Sequence, residues 1–277
     1  MLRMTRTLQL ASLTRRALIS VSGPDWRSFL QGLLSQDVET LGVGELRFAG
    51  LLTPQGKLMF DLFVLGQEEG CLIDVAAGRR EALISRLTIY RLRAKVEIKP
   101  AEGAVLAAWP ADAPGSDRDA GWAPDPRLAA LGLRGYGVSP PADATVVGET
   151  AYEAHRLALG VPDPDADCPP ETTYPIEANF DLLGGIDFKK GCFVGQETTS
   201  RMKRRGAIKN RMLPIRFEGP VPAPGAEVLA GTLRAGEVLT GADGRAMALL
   251  RLDRIEGADL TVDGRPVTVE RPGYLGE

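Results

Sequence analysis

The string Lys190-Gly191-Cys192-Phe193-Val194-Gly195-Gln196-Glu197 constrains this chain more than any other feature. It sets one cysteine between two glycines, just ahead of a stretch with helical character. Neither glycine carries a Cβ, so the backbone can turn sharply there or approach a ligand closely. The Lys189-Lys190 charge and the unpaired amides of a helix N-terminus both favour a thiolate. Gln196 and Glu197 add an amide and a carboxylate in the first helical turn. The chemistry that fits is a reactive or metal-contacting thiol at Cys192, assisted by Lys190. The alternative is a cysteine packed at an ordinary loop-to-helix junction.

Composition narrows the field. A chain of 277 residues with 44% apolar content can bury a sizeable core in two or three compact units. A net charge of −3 argues against a dedicated nucleic-acid binder. No run reaches the roughly 18 apolar residues a membrane helix needs. The three cysteines, Cys71, Cys168 and Cys192, show no paired spacing, which speaks against a disulfide framework and for a reducing compartment. Three thiols in one chain cannot make a four-thiolate cluster, and the single His155 excludes a multi-histidine metal site. Arg3, Arg6, Arg15 and Arg16 give the start a superficial likeness to a transit peptide. Residues 10–21 read as a first strand, however, so the expectation is a bacterial-type cytoplasmic protein.

Periodicity gives a coarse map. Trp26, Phe29, Leu30, Leu33 and Leu34 repeat at helical spacing, and residues 79–90 are an amphipathic helix through Leu83, Ile84 and Leu87. Residues 48–52, 58–64, 71–75 and 94–98 read as strands, the first two joined by the turn Thr53-Pro54-Gln55-Gly56. Residues 149–159 read as a helix stopped by Gly160 and Pro162. Residues 109–127, rich in Pro, Asp, Gly and Ala, read as a long loop. After a proline-rich break at 218–225 the pattern is all-β, with a hairpin turning on Asp263-Gly264. Helices mixed with hairpin-linked strands predict an α+β protein with mainly antiparallel sheets and a small C-terminal barrel or sandwich.

Three stretches carry a family resemblance: Val21-Ser22-Gly23-Pro24-Asp25 with Phe29-Leu30-Gln31-Gly32; Leu52-Thr53-Pro54-Gln55-Gly56-Lys57; and Tyr174-Pro175-Ile176-Glu177-Ala178-Asn179-Phe180-Asp181 running on to the Cys192 string. Together they resemble the YgfZ family, folate-binding proteins related to the glycine-cleavage aminomethyltransferase and needed to maintain certain iron–sulfur enzymes. The likeness is greatest to its mitochondrial assembly branch and that branch's bacterial relatives. It implies an aminomethyltransferase-like multi-domain ring around a folate channel. Residues 1–210 would form a folate-binding region of two interleaved α+β subdomains, and 211–277 a β-barrel.

The resemblance also implies roles. Glu177 would accept hydrogen bonds from the pterin edge of tetrahydrofolate, with Asn179 adding an amide contact and Gln196 lying close by. Asp61 matches a folate-facing aspartate, although Phe60 stands where the aminomethyltransferases have a second acid; the solvent face of an alternating strand explains it equally well. Arg201, Lys203, Arg204, Arg205, Lys209 and Arg211 form a basic run. That run suits a solvated face, a clamp for a glutamate tail, or contact with a nucleic acid or acidic partner. The function implied is a folate-dependent accessory factor for assembly or repair of iron–sulfur clusters, acting without turnover. Cys192 would hold a cluster transiently, with ligands shared by a partner. Its partners would be client enzymes and assembly-machinery proteins. An aminomethyltransferase and a tRNA-modification helper are the alternatives.

Overall fold

Arg16 N–H closes a turn on the Leu13 carbonyl at 3.0 Å. The single strand expected over 10–21 is therefore two, β1 (Gln9–Ser12) and β2 (Arg16–Ser22), which enter different sheets. The computed structural model describes residues 8–109, 121–142, 144–167, 169–206 and 208–276. After β2 come α1 (Trp26–Gln31), β3 (Leu46–Leu52), β4 (Leu58–Gln67), β5 (Gly70–Ala76), α2 (Arg80–Arg91) and β6 (Glu97–Ala101). Then follow β7 (Val105–Trp109), β8 (Trp122–Pro124), β9 (Leu133–Tyr136), β10 (Thr145–Val147), α3 (Glu149–Ala158), α4 (Pro164–Asp167) and α5 (Gln196–Arg205). The chain ends with β11 (Asn210–Phe217), β12 (Glu227–Ala230), β13 (Leu233–Ala242), β14 (Arg245–Arg251), α6 (Leu252–Ile255), β15 (Leu260–Val262) and β16 (Arg265–Val269).

These elements form two compact units made of alternating segments. One holds the chain through Leu52, Phe60–Tyr152 and Gly184–Val194; the other holds Thr53–Met59, Glu153–Leu183 and everything from Gly195 on.

The first unit has two five-stranded sheets, ordered β10-β1-β7-β9-β8 and β3-β4-β5-β2-β6. Its described pairings are antiparallel except β1 with β10. Strand β4 lies inside its sheet and is buried along its length apart from Gln67. Both its faces are covered, so the half-exposed alternation read from its sequence does not hold. Helix α2 packs on β2 and β6 and buries Leu83 and Leu87. Within the stretch expected to be a long loop, β8 pairs with β9 and buries Trp122 and Ala123. Residues 110–120 of that stretch, and Cys168, lie outside the described residues.

The second unit contains a closed barrel, ordered β11-β14-β13-β12-β15-β16. Leu213, Ile215 and Phe217, at period two along β11, fill it together with Val228, Val238, Ala248 and Val262. Asp263-Gly264 and Asp243-Gly244 both have positive φ at both residues, 50° and 76° in the first and 50° and 75° in the second. This is the two-residue hairpin geometry that Asp-Gly favours. Helix α5 is bounded by Gly195 (φ 81°) and Gly206 (φ 64°), left-handed positions that glycine occupies without steric cost. No helix among the described residues is long and apolar enough to cross a membrane.

Candidate functional site

In the first unit, residues 184–194 form a strap laced to the loop after α1. Ser35 Oγ donates to Gly185 O at 2.5 Å, Gln36 Nε2 to Gly184 O at 2.6 Å, and Asp187 N to Ser35 O at 3.0 Å. At the far end, Val194 N donates to Gly32 O at 3.2 Å. Lys190 is the central fastener. Its Nζ donates to the carbonyls of Gln31 (2.8 Å), Leu34 (2.6 Å) and Gln36 (2.9 Å). An ammonium has three donors, and all three are filled. Burial pulls its pKa down to about 8, against the opposing charges of Asp37 and Asp187. The expected assistance of Lys190 to the thiol is thus redirected: its hydrogen bonds are spent on the loop after α1, fastening to it the strap that carries Cys192. Phe193 is buried, whereas Gly191 and Cys192 are exposed, so a tethered strap offers its thiol outward. Cys71, by contrast, is buried in β5, and burial pushes its thiol up to about 12. Among the described residues no group of three or more His, Cys, Asp or Glu could hold a metal ion.

Lys190→Met should strand three carbonyls, and each buried acceptor left unpaired costs about 1–3 kcal/mol. The expected result is faster amide exchange at Asp187 and Val194, at least about tenfold for a loss of about 1.4 kcal/mol, with the barrel amides unchanged. Unchanged strap exchange would show that the lysine does not hold it.

In the second unit, the motif segments converge. The turn closed by Gly56 N on Thr53 O (2.8 Å) comes so near the start of α5 that a Cβ on Gly56 would meet Thr198 Cβ at 2.9 Å and Gly195 O at 3.0 Å. Lys57 Nζ lies 3.5 Å from the Tyr174 ring centroid and donates to Thr172 O at 2.7 Å. Glu177, half-buried, accepts from Tyr174 N at 2.9 Å through Oε2 and from Asn210 Nδ2 at 3.0 Å through Oε1. A carboxylate offers about four acceptor positions, so Glu177 keeps capacity for a ligand.

Asn179 does not. It is fully buried at a left-handed φ of 61°. Its amide donates to Met212 O (2.7 Å) and Tyr274 Oη (3.2 Å) and accepts from Arg211 (3.0 Å). The folate contact expected of it is corrected: the side chain is spent on the junction with β11. Arg211 also leaves the exposed basic run. It is buried, and both its terminal nitrogens reach Asp181 at 3.0 Å. Arg201, Lys203, Arg204 and Arg205 remain exposed on α5, with Lys203 3.6 Å from Asp181. Gln196 is half-buried at the first position of that helix.

The solvent face expected as the alternative for Asp61 is corrected. The residue is buried, 7% exposed, and pairs with Arg16 at 3.1 Å. Arg16 also donates to Asp74 Oδ1 at 2.6 Å, and Asp74 Oδ2 accepts from Arg134 at 2.6 Å and Tyr136 at 3.2 Å. Arg127, bonded to Asp125 at 2.7 Å and Tyr152 at 2.9 Å, extends this buried network. The Phe63 ring lies under Arg134 (4.0 Å), Arg127 (4.9 Å) and Arg16 (5.6 Å). Sequence reasoning gave no sign of this network, whose members pair across separations of 45, 58 and 60 residues.

The architecture is that of the aminomethyltransferases. The chain is similar to the glycine cleavage system aminomethyltransferase T of Bartonella henselae, with a TM-score of 0.78 and 20% identity, over 98% of this chain and 87% of that one. Residues 209–277 match the family described as CAF17, C-terminal beta-barrel domain. Among curated proteins, the human iron-sulfur cluster assembly factor IBA57, mitochondrial, is 32% identical over 275 residues, covering 87% of this chain and 77% of that protein. The IBA57 homolog of Neurospora crassa, also mitochondrial, is 36% identical over 241 residues, covering 77% of this chain. The chain spans about half (55%) of that fungal relative's length. The chain belongs to the family of IBA57 iron–sulfur cluster assembly factors. The cytoplasmic placement expected from the strand read over residues 10–21 is overturned, because these relatives are named mitochondrial.

Proposed function

We propose that this chain is a folate-dependent accessory factor that helps assemble or repair iron–sulfur clusters in client enzymes. The observation that carries the reading is Cys192, exposed on a strap whose flanking residues are pinned by Lys190, Ser35 and Gly32. Such a thiol is accessible to cargo held by a second protein, while its backbone is pre-positioned. The cluster is the cargo. Cys192 contributes one thiolate, and the remaining ligands come from the delivering or receiving protein, since iron–sulfur clusters take four. The partners of this reading are therefore assembly-machinery proteins and their clients.

Tetrahydrofolate fits the second unit through Glu177, whose open acceptor positions suit the paired N–H groups of a pterin edge. When bound, it supplies a reduced pteridine and an anionic glutamate tail. Arg201 and its exposed neighbours on α5 provide charge for that tail. Glu177→Gln should weaken tetrahydrofolate binding by about 1.5–3 kcal/mol, the range for a hydrogen bond to a charged group. Isothermal titration reads this, with a melting curve confirming that the fold survives. Equal affinity in both proteins would remove Glu177 from the site. The functional reading itself is tested by adding the purified chain to extract that lacks it and measuring recovery of a [4Fe–4S] client. No recovery at any dose would contradict it.

A further inference from the structure

Helix α2 commits one face to the sheet, through the fully buried Leu83 and Leu87. On the opposite side it shows Ile89 at 66% exposure, and the first residue beyond its end, Leu92, is 88% exposed. Leu92 is also out of place by conformation. Ala94 N donates to Arg91 O at 2.8 Å, closing a four-residue turn with Leu92 at its second position. There its φ is 42° and ψ −103°. That is close to the first central position of a type II′ turn, where glycine is the residue the geometry demands. A leucine there meets steric cost from its Cβ and recovers none of it by burial. Single exposed leucines are ordinary, but a strained one is not, and such outliers gather where a residue serves contact rather than the fold.

The surrounding charge says what kind of contact. Residues 79–95 hold six cationic side chains and one acid, Glu81, in a chain whose net charge is −3. Arg86, Arg91 and Arg93 make no ion pair among the described residues. We infer that Ile89 and Leu92, with Arg86 one turn before Ile89 and Arg91 and Arg93 on either side of Leu92 in the chain, are a docking surface for an acidic protein with an apolar pocket edged by carboxylates. Two exposed aliphatic side chains in a segment with three unpaired arginines match interface anatomy, in which apolar anchors are buried and charge sits at the border. A nucleic acid could use the arginines but would leave both aliphatic side chains in water, because its bases stack on aromatic planes rather than on Ile or Leu. The surface has no part in the Cys192 strap or in the contacts of Glu177.

The test rests on the functional reading above and separates its failure from this one. The full chain is titrated into extract that lacks it, and recovered [4Fe–4S] client activity is read against dose for wild type, Leu92→Gly and Arg91→Glu/Arg93→Glu. Glycine suits the turn, so Leu92→Gly should melt no lower than wild type. Its half-saturating dose should nevertheless rise at least about tenfold with the plateau unchanged, a loss of about 1.4 kcal/mol in affinity. The double charge reversal should shift the dose in the same direction, and its effect should shrink as salt rises. A Leu92→Gly curve superimposed on wild type, a lowered plateau at unchanged half-saturation, or a shift abolished by ribonuclease would overturn the docking surface alone. A wild-type chain that restores nothing would overturn the functional reading and this surface with it.

Discussion

Asp74→Ala is expected to destabilise the first unit by about 3–5 kcal/mol, the cost of breaking a buried ion pair from one side. Asp74 is 1% exposed and takes hydrogen bonds from Arg16, Arg134 and Tyr136. Removing it leaves two guanidinium groups with diminished compensation inside the protein, whereas the unfolded chain hydrates them freely. Against a total of about 5–15 kcal/mol for a domain, such a loss is large. The urea midpoint should fall with little change in slope. The pH dependence has a definite sign. Burial raises the Asp74 carboxyl, but the charges of Arg16 and Arg134 more than offset it, holding the folded value below the ordinary 3.8. Asp125 is lowered in the same way, with Arg127 offsetting its burial. The stability these carboxylates contribute is therefore complete above about pH 4, near the unfolded carboxyl value. It drains away as pH falls through their folded values. Asp74→Asn should flatten that acid limb. A midpoint change worth less than about 1 kcal/mol, the usual ceiling for an exposed pair, would show that the network behaves like a surface one.

The parts of the fold legible in sequence are those set by short-range chemistry. Asp263-Gly264 marks a hairpin because both residues must take positive φ. Gly195 precedes α5 at a left-handed φ for the same reason. Leu83 and Leu87 mark the inner face of α2 through their spacing alone. Failures arise where burial is decided by distant chain. Alternation along β4 suggests a solvent face for Asp61, yet β4 sits between β3 and β5 with both faces covered. Asn179 carries a plausible amide for a ligand, but the arrival of β11 and Tyr274 engages it fully. At the site, the cysteine between glycines is visible as a motif. That Lys190 turns to three carbonyls from residues 31–36 is not, because those acceptors are backbone atoms that any sequence supplies.

We propose that Cys192 is the working thiol of the strap. Its neighbours are anchored and its own side chain is exposed, so Cys192→Ser alters one atom at a surface position and should leave the melting temperature and urea midpoint unchanged. Serine's oxygen is a far poorer ligand for iron–sulfur cargo than a thiolate, so the effect on function should be near total. Cys71 cannot substitute, being buried with its thiol pushed up to about 12. The direct measurement is recovery of [4Fe–4S] client activity in extract lacking this protein, with equal amounts of folded wild type or Cys192→Ser added. Recovery with wild type and none above the empty extract with Cys192→Ser is the predicted result. Equal recovery with both proteins would contradict it and leave Cys192 as an ordinary surface cysteine.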